Sequence, residues 1–327
     1  MDIIRNIKVP TGNILIVKGD KGDLEMLSLG DYGKDVNVKC DSMGLSREIE
    51  KVEHTQILPL EEKWVITIST QYGCSMGCKF CDVPKVGKGK NATTSDLIKQ
   101  VLTGISLHPE VGYTNRLNIH FARMGEPSWN LSVLNATVWF HEWLGEKYKI
   151  HPVVSTMMPN KNRDLRWFIK EWMNIKNDML KGEAGLQLSI NSTSESERTE
   201  MFNGNACSLS EIALIMNGIV PNGRKITLNF AIAGYEINPD VLLRYFNPDH
   251  YIIKLTPMHK TEEAIKNGIK TCGDYTEYYP YRADEDRLKK AGYDVLVFIA
   301  SDKEDLGRIT CGNAILSGSA PLCEYSE

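Results

Sequence analysis

Short apolar runs recur along the chain from residue 64 to residue 300, and longer amphipathic stretches separate them. The runs are WVITIS (64–69), RLNIHF (116–121), PVVS (152–155), LQLSI (186–190), ITLNFA (226–231), YIIKLT (251–256) and YDVLVFIA (293–300). Their length and their content of β-branched residues are typical of buried strands. Strands that alternate with helical segments form βαβ units, so the pattern predicts an α/β fold with a parallel sheet of six units and one further strand.

Three of the intervening segments have the marks of amphipathic helices. They are SDLIKQVLTG (95–104), LSVLNATVWFHEWLGE (131–146) and SLSEIALIMNG (208–218). The first opens with Ser-Asp and ends in Gly, and the third opens with a serine cap and ends in Asn-Gly. We expect helices over these segments, with the first one stopping at Gly104.

The first 60 residues have a different pattern. The β-type runs ILIV (14–17), LEML (24–27) and VNVK (36–39) are separated there by turn signals such as GDKGD (19–23). We therefore expect a small β-rich N-terminal domain over residues 1–60 and an α/β core with a C-terminal extension over residues 61–327.

Composition places the chain among ordinary globular proteins. Of 327 residues, 42% are hydrophobic and 24% are charged, and the net charge is −4. A mildly acidic chain of this kind does not bind polyanions through its overall charge, although Lys79, Lys85, Lys88 and Lys90 form a local basic cluster.

Neither a secretory signal nor a membrane span is expected. The N-terminus MDIIRNIKVPTGN has no apolar segment followed by a small-residue cleavage site, and no apolar run is as long as a spanning helix. Eight cysteines, three of them within eight residues, indicate metal ligands and reactive thiols in a reducing compartment. We therefore expect a cytoplasmic protein.

The segment QYGCSMGCKFCDVP places Cys74, Cys78 and Cys81 at a C-x3-C-x2-C spacing. Three thiolates can bind three irons of a 4Fe-4S cluster and leave the fourth iron open for another ligand. The open iron suits S-adenosylmethionine (SAM), which can bind it through its amino and carboxylate groups. A structural zinc site is the alternative, but it needs a fourth protein ligand, and no second C-x2-C or H-x3-H pair is present.

Further polar residues follow the predicted strands, at the sheet edge where parallel α/β proteins place their chemistry. Glu126, in RMGEP beside Gly125, is suited to binding the ammonium group of SAM. Small polar residues and a histidine at other strand ends can bind its ribose, carboxylate and adenine, and an aromatic ring in the cysteine loop can contact the adenine. These candidates are Ser155, Ser189, Asn191, His259 and Phe80.

Cys311, in GRITCGNAILSG, lies far from the cysteine cluster in the sequence. A free cysteine is more often an inert small apolar residue. The neighbouring Thr, Gly and Asn indicate an accessible loop, where a thiolate can act as a nucleophile.

Together these motifs resemble a known family. The spacing of the three cysteines after a first strand resembles the radical-SAM superfamily, whose members have a partial (β/α)6 barrel, a 4Fe-4S cluster and SAM. The segments QYGCSMGCKFC, RMGEP, VVST, LSINSTSESERTEMF, IKLTPMH and ITCGNA occur in the order and spacing of the RlmN/Cfr-like adenosine methyltransferases. The resemblance covers roughly residues 50 to 320.

The resemblance implies roles for individual residues. In that family a cysteine equivalent to Cys311 is methylated by one SAM, and a radical made from a second SAM then activates the methyl group for addition to C2 or C8 of adenine in RNA. Gly125, Glu126, Ser155, Ser189, Asn191 and His259 fall on the SAM-binding positions. Glu53, in VEHT, falls on the proton-accepting glutamate, with one residue inserted downstream.

Two departures from the family stand out. The family has a second essential cysteine seven residues before the first cluster cysteine, where this chain has Thr67, and a hydroxyl cannot form the disulfide that releases the product. Another thiol could replace it, and the candidates are Cys40, Cys207, Cys272 and Cys323. The N-terminus is also short and β-rich, where the ribosomal-RNA enzymes have a helical RNA-binding domain.

The main interpretation is therefore a methyltransferase that uses Cys311 to transfer a SAM-derived one-carbon unit to an adenine-type nucleobase in RNA or in a nucleotide. The alternative is a radical-SAM enzyme with a non-methylating reaction on a small molecule or peptide. A zinc-stabilised binding module is a third, non-catalytic possibility. Either enzyme needs a low-potential electron donor, for which a flavodoxin or ferredoxin is expected.

Overall fold

The computed structural model describes residues 1–31, 57–270, 279–300 and 302–322. One sheet dominates it, with ten strands: β1 (Ile3–Val9), β2 (Gly12–Gly19), β3 (Gly22–Leu29), β4 (Trp64–Ile68), β7 (Thr114–Phe121), β8 (Tyr148–Thr156), β9 (Gly185–Ser189), β10 (Ile226–Ile232), β11 (Tyr251–Pro257) and β12 (Asp294–Val297). Two short strands, β5 (Gln71–Gly73) and β6 (Lys88–Asn91), form a separate antiparallel pair.

Nine α-helices lie in the described ranges. They are α1 (Thr94–Ser106), α2 (Ser132–Leu144), α3 (Leu165–Asn174), α4 (Glu195–Met201), α5 (Leu209–Met216), α6 (Pro239–Tyr245), α7 (Glu262–Lys266), α8 (Tyr279–Lys290) and α9 (Asp302–Leu306). None of the helices described is long and apolar enough to cross a membrane.

The predicted parallel sheet is confirmed. Seven strands lie side by side in chain order, β4-β7-β8-β9-β10-β11-β12, and each neighbouring pair is parallel. All seven apolar runs of the sequence correspond to these strands. Among the described residues the sheet ends at β1 and β12 without a pairing between them, and its curvature into a partial barrel stays a prediction.

The N-terminal strands continue the same sheet. β1, β2 and β3 pair antiparallel in order, and β3 pairs antiparallel with β4. The predicted runs 14–17 and 24–27 lie in β2 and β3, whereas the run 36–39 is outside the described residues. The division into domains 1–60 and 61–327 stays a prediction. The structure shows that the two parts share one sheet.

The helix predictions are confirmed except for one end. A capping box between Ser208 and Glu211 opens α5, as its sequence predicts. The predicted stop of α1 at Gly104 is wrong, because the helix continues to Ser106. A Cβ atom at Gly104 would lie 3.0 Å from Met26 and 3.1 Å from Ile66, so this glycine allows the helix to approach the sheet closely.

The two faces of the parallel sheet differ. Strands that follow one another with right-handed crossovers place their helices on one side. On the first face, side chains such as Ile66, Leu228 and Ile253 are fully buried. The opposite side, which we call the polar face, has half-buried residues in every parallel strand, and most of them are polar. It includes Thr67, His120, Ser155, Gln187, Ser189, Asn229 and Lys254.

We expect His120 to make the protein less stable in acid. Burial, followed by the charges of Lys254 and Lys63, lowers the pKa of His120 to about 3. The unfolded chain binds a proton at this residue below pH ~6.5 and the folded chain does not, so stability falls as the pH falls below that value. The loss at pH 5.5 is about 1.4 kcal/mol.

Urea unfolding of wild type and His120→Asn at pH 7.5 and pH 5.5 tests this expectation. The difference between the two pH values should be about 1.4 kcal/mol smaller in His120→Asn. Replacing the exposed His141 with Asn should leave the wild-type difference intact. An equal acid sensitivity of wild type and His120→Asn would contradict the assignment.

Candidate functional site

The antiparallel strands β5 and β6 hold the cysteine loop closed at its base. The backbone amide of Cys74 donates to the carbonyl oxygen of Gly87 at 3.0 Å, so the loop begins and ends at the same place. The side chain of Gln71 crosses from β5 to β6 and donates to the carbonyl oxygen of Gly89 and to Oδ1 of Asn91. These contacts fix a loop that contains all three cysteines of the motif.

The three cysteine thiols are enclosed and close enough to affect one another. Cys74 and Cys78 are buried, Cys81 is partly buried, and none forms a disulfide. Burial raises the pKa of Cys74 to about 11. Burial, and then the neighbouring Cys81 and Cys74, raises the pKa of Cys78 well above its usual value. Three thiolates can coexist here only if a cation neutralises them.

Thiols are the donors that bind 4Fe-4S clusters, and three of them lie on one loop here. In the described part of the chain no group of three His, Cys, Asp or Glu side chains is placed to hold a single metal ion. Cys74, Cys78 and Cys81 thus have the donor type that a 4Fe-4S cluster needs, and the cluster stays a prediction.

Glu126 lies beside the cysteine loop and is fully buried. Its Oε1 accepts hydrogen bonds from the backbone amide and hydroxyl of Ser128, and its Oε2 accepts one from the amide of Met157 at 2.8 Å. Burial raises its pKa, while these hydrogen bonds oppose the rise. The carboxyl group of Glu126 is fully buried and forms no salt bridge with a described residue, so it suits a cationic ligand.

Gly125 is required by the path of the backbone. Its φ is +97°, and a Cβ atom there would lie 2.6 Å from the side chain of Gln71. The amide of Glu126 donates to Oε1 of the same Gln71 at 3.0 Å. The glycine thus lets the turn after β7 lie directly against the base of the cysteine loop.

Three other candidates lie at neighbouring strand ends, as predicted. Ser155 is the penultimate residue of β8 and Ser189 is the last residue of β9, and both are on the polar face. Asn191 follows β9 with a left-handed backbone at φ +60°, and its Oδ1 accepts from the amide of Ala231 at 3.0 Å. The structure places these residues along the same edge of the sheet as Glu126.

Phe80 is within the cysteine loop, and His259 follows the end of β11. The ring of Phe80 contacts the ring of Phe202 edge to face, with 6.0 Å between the centroids. Nδ1 of His259 lies 3.2 Å from Oδ1 of Asp305. Their predicted contact with adenine stays a prediction.

The Cys311 loop is docked on the cysteine loop. The amide of Asp82 donates to the carbonyl oxygen of Gly312 at 2.8 Å. Gly312 has φ +86°, and a Cβ atom there would lie 3.2 Å from the carbonyl oxygen of Phe80. The charge of Cys311 contributes to the raised pKa of Cys81. The exposed Cys311 therefore stands next to the three enclosed cysteines, although 230 positions separate it from Cys81 in the sequence.

A buried ion pair that the sequence analysis missed supports the Cys311 loop. Nε and Nη2 of Arg123 both donate to Oε1 of Glu25, and the two side chains are at most 2% exposed. Nη2 also donates to the carbonyl oxygen of Arg308 at 2.8 Å. The other oxygen of Glu25, Oε2, accepts from the amide of Leu316 at 3.0 Å. The pair thus binds the loop on both sides of Cys311.

The sequence contained a signal for this pair. Glu25 is an acidic residue inside the apolar run LEML, and Arg123 directly precedes Met-Gly-Glu-Pro after an apolar strand. Charged residues at such positions are rarely fully buried unless they are paired. The N-terminal strands also contact the loop through an apolar cluster that contains Ile14, Ile16, Ile309 and Ile315.

For the remaining predicted residues the structure gives less information about a role in the site. Glu53, Cys40, Cys272 and Cys323 lie outside the described residues. Thr67 is on the polar face of β4, in register with His120. Cys207 is buried, and its carbonyl oxygen accepts from Arg198. In the basic cluster, Lys79 pairs with Glu200, and Lys85 pairs with Asp82 and Glu262.

Comparison with known proteins agrees with the motifs. The chain is 31% identical over 100 residues to the dual-specificity RNA methyltransferase RlmN of Campylobacter lari, a match that covers 31% of this chain and 28% of that protein. It is 23% identical over 223 residues to the probable RlmN of Aquifex aeolicus, covering 64% of this chain and 57% of that protein. The chain thus matches between about a quarter and somewhat over half of the length of these curated relatives. A scan of family models found no match.

The fold also has a solved counterpart. A radical SAM methyltransferase from Sphaerobacter thermophilus matches 95% of this chain and 80% of its own, with a TM-score of 0.64 and 17% identity. At that identity the likeness concerns the fold. The resemblance inferred from the motifs is thus supported by both comparisons: part of the chain is similar to proteins named RlmN, and its fold is similar to that of a radical SAM methyltransferase.

We expect loss of one member of the Glu25–Arg123 pair to be more damaging than loss of both. Arg123→Met or Glu25→Leu leaves one buried charge uncompensated, which costs about 3–5 kcal/mol of unfolding free energy. The double variant should be more stable than either single variant, because no buried charge is left without its partner. Urea unfolding measures these values, and hydrogen exchange at residues 308–316 should accelerate in both single variants.

The exposed pair Lys18–Asp23 provides the control. Its side chains are 59% and 38% exposed, so Lys18→Met should cost less than about 1 kcal/mol. Additive single effects, or unchanged exchange at residues 308–316, would contradict the role given to Arg123.

Proposed function

We propose that the protein is a radical-SAM methyltransferase of the RlmN/Cfr-like kind. Cys311 carries a SAM-derived one-carbon unit to an adenine-type nucleobase, in RNA or in a nucleotide. The observation that carries this proposal is the docking of the Cys311 loop on the cysteine loop through the Asp82–Gly312 hydrogen bond. It is supported by the similarity to proteins named RlmN.

In this proposal Cys74, Cys78 and Cys81 hold the 4Fe-4S cluster. When bound, the cluster supplies the electron that cleaves SAM reductively. The burial of Cys74 and Cys78 would limit the access of water and of oxidants to a cluster bound there. The exposure of Cys311 leaves its sulfur open to a methyl donor and to a substrate.

Glu126 is the residue best suited to the ammonium group of SAM. Desolvation opposes its charged form, and a bound ammonium would reverse that effect by pairing with it. Hydrogen bonds from Ser128 and Met157 fix the carboxylate while leaving lone pairs available. Gly125, Ser155, Ser189, Asn191, His259 and Phe80 complete the proposed SAM site, and Glu53 is the proposed proton acceptor.

Release of the product must differ from the family scheme. Thr67 has a hydroxyl where a thiolate would form the releasing disulfide. Of the other candidate thiols, the described Cys207 is buried, and burial raises its pKa to about 11. A buried thiol that stays protonated is a poor nucleophile, so Cys207 is an unsuitable replacement. Cys40, Cys272 and Cys323 remain the candidates.

The proposal also has requirements outside the chain. Reduction of the cluster needs a low-potential one-electron donor, for which we propose a flavodoxin or ferredoxin. An oxygen-sensitive cluster and free thiols fit a reducing compartment, and we propose the cytoplasm.

Thr67 favours a second candidate, a radical-SAM reaction without methylation in which Cys311 relays a radical. The two functions differ in the state of Cys311. Mass spectrometry of the anaerobically purified protein after incubation with SAM distinguishes them, because a methylated Cys311 is expected only in the first. An unmodified Cys311 would favour the second.

We expect two cysteine variants to separate the steps. Cys78→Ala should abolish both product formation and the cleavage of SAM to 5′-deoxyadenosine, because it removes a proposed cluster ligand. Cys311→Ala should abolish the product and allow some SAM cleavage. Anaerobic assays with dithionite and liquid chromatography measure both yields.

Cys207→Ala is the control for loss of a cysteine, and it should behave as wild type. Normal product formation by Cys311→Ala would show that the methyl carrier is wrongly assigned. Undiminished SAM cleavage by Cys78→Ala would show that the cluster ligands are wrongly assigned.

A further inference from the structure

Lys254 lies on the polar face in the part of the sheet near the Cys311 loop. In β11 it is in register with Asn229 of β10 and with Leu296 of β12. Its Nζ lies 5.2 Å from the centroid of the Phe298 ring, directly after β12. The amide of Phe298 donates to the carbonyl oxygen of Leu255 at 2.9 Å, which fixes the ring beside the lysine.

Lys254 forms no salt bridge with a carboxylate of the described residues. Its Nζ contacts the face of the Phe298 ring instead. Burial lowers the pKa of Lys254, while the charges of Cys311 and Asp31 raise it, so the ammonium and the Cys311 thiol are within electrostatic range of each other. A half-buried ammonium in this position favours an anionic ligand.

A second group on the same face lacks a partner. Oδ1 of Asn229 is buried and accepts no hydrogen bond from a described residue. Buried polar atoms in native structures are almost always satisfied, so this carboxamide oxygen calls for a donor from a bound molecule. Asn229 is directly beside Lys254 in the sheet, and one molecule can satisfy both residues.

Lys254 and Phe298, in β11 and directly after β12, are separated from Glu126 and Ser155, which lie near the ends of β7 and β8. Asn229 borders the proposed SAM site, because it is in register with Ser189 of β9. Lys254, Lys63 and Arg224 all lower the pKa of His120, whereas Asp31, which forms a salt bridge with Lys63, opposes them. Cations thus outnumber carboxylates among the charges that act on this residue.

We propose that Lys254 and Asn229 form an anion subsite that binds the phosphate of a nucleotide and thereby presents the base to Cys311. Lys254 pairs with the phosphate, and Asn229 accepts a hydrogen bond from a hydroxyl or amino group of the same molecule. This inference rests on the proposed function and specifies its substrate as a phosphorylated nucleoside. The phosphate can belong to a free nucleotide or to an RNA chain.

Calorimetric titrations of the anaerobically reconstituted protein with SAM present test the subsite. Adenosine 5′-monophosphate and adenosine are the matched probes, because they differ only in the phosphate. We expect wild type to bind the monophosphate at least tenfold more tightly than adenosine. Lys254→Gln should bind the two probes equally, and Lys254→Arg should keep most of the preference because it keeps the charge.

Further measurements separate the outcomes. A tri-adenylate is compared with the monophosphate as a third probe. Tighter binding of the tri-adenylate that is lost in Lys254→Gln indicates an RNA chain as the source of the phosphate, and equal binding of the two probes indicates a free nucleotide. Either result supports the subsite. Absence of a phosphate preference in wild type, or its persistence in Lys254→Gln, would overturn it. A SAM affinity that falls tenfold in Lys254→Gln would also overturn it, because Lys254 would then serve the carboxylate of SAM.

Mass spectrometry of Cys311 in the same preparations separates this inference from the proposed function. A methylated Cys311 without a phosphate preference rejects the subsite alone. An unmodified Cys311 with a Lys254-dependent preference supports the subsite and rejects the methyl carrier.

Discussion

The contact between the cysteine loop and the Cys311 loop is the constraint on which the site depends. Asp82 has a central position in it, because its amide holds Gly312 and its carboxylate accepts from the amides of Glu262 and Glu263 at the start of α7. Thr261 adds a hydrogen bond to the carbonyl oxygen of Phe80 at 2.8 Å. Three distant segments of the chain therefore meet at the third cysteine of the motif. Without this contact Cys311 would be an ordinary exposed thiol.

The fold provides a surface on which such a contact has chemical use. Because the parallel strands follow one another in order, the helices cover one face of the sheet and leave the polar face for ligands. The ends of β7 to β9 have the groups suited to SAM, and β11 and β12 have a positive side chain and an aromatic ring. The N-terminal strands supply Glu25, which through Arg123 holds the loop of Cys311 over this face.

The sequence predicted the sheet well because each parallel strand is a short, mainly apolar run with β-branched residues between longer amphipathic segments. It also predicted the cysteine loop and the position of Glu126 after a strand, since both depend on residues that are close together in the sequence. The predicted end of α1 is wrong because Gly104 allows close packing of the helix against Ile66 and does not terminate the helix. This packing is a tertiary effect, which the neighbouring residues in the sequence do not reveal. The Glu25–Arg123 pair was missed because its members are 98 positions apart and each looks like a surface charge when taken alone.

The central claim is that Cys74, Cys78 and Cys81 leave one iron of a cluster open for SAM. Electron paramagnetic resonance of the anaerobically reconstituted and reduced protein, recorded with and without SAM, tests it most directly. The account predicts the spectrum of a reduced 4Fe-4S cluster that changes when SAM is added. A folded protein that takes up no iron, or a cluster spectrum that SAM leaves unchanged, would contradict it.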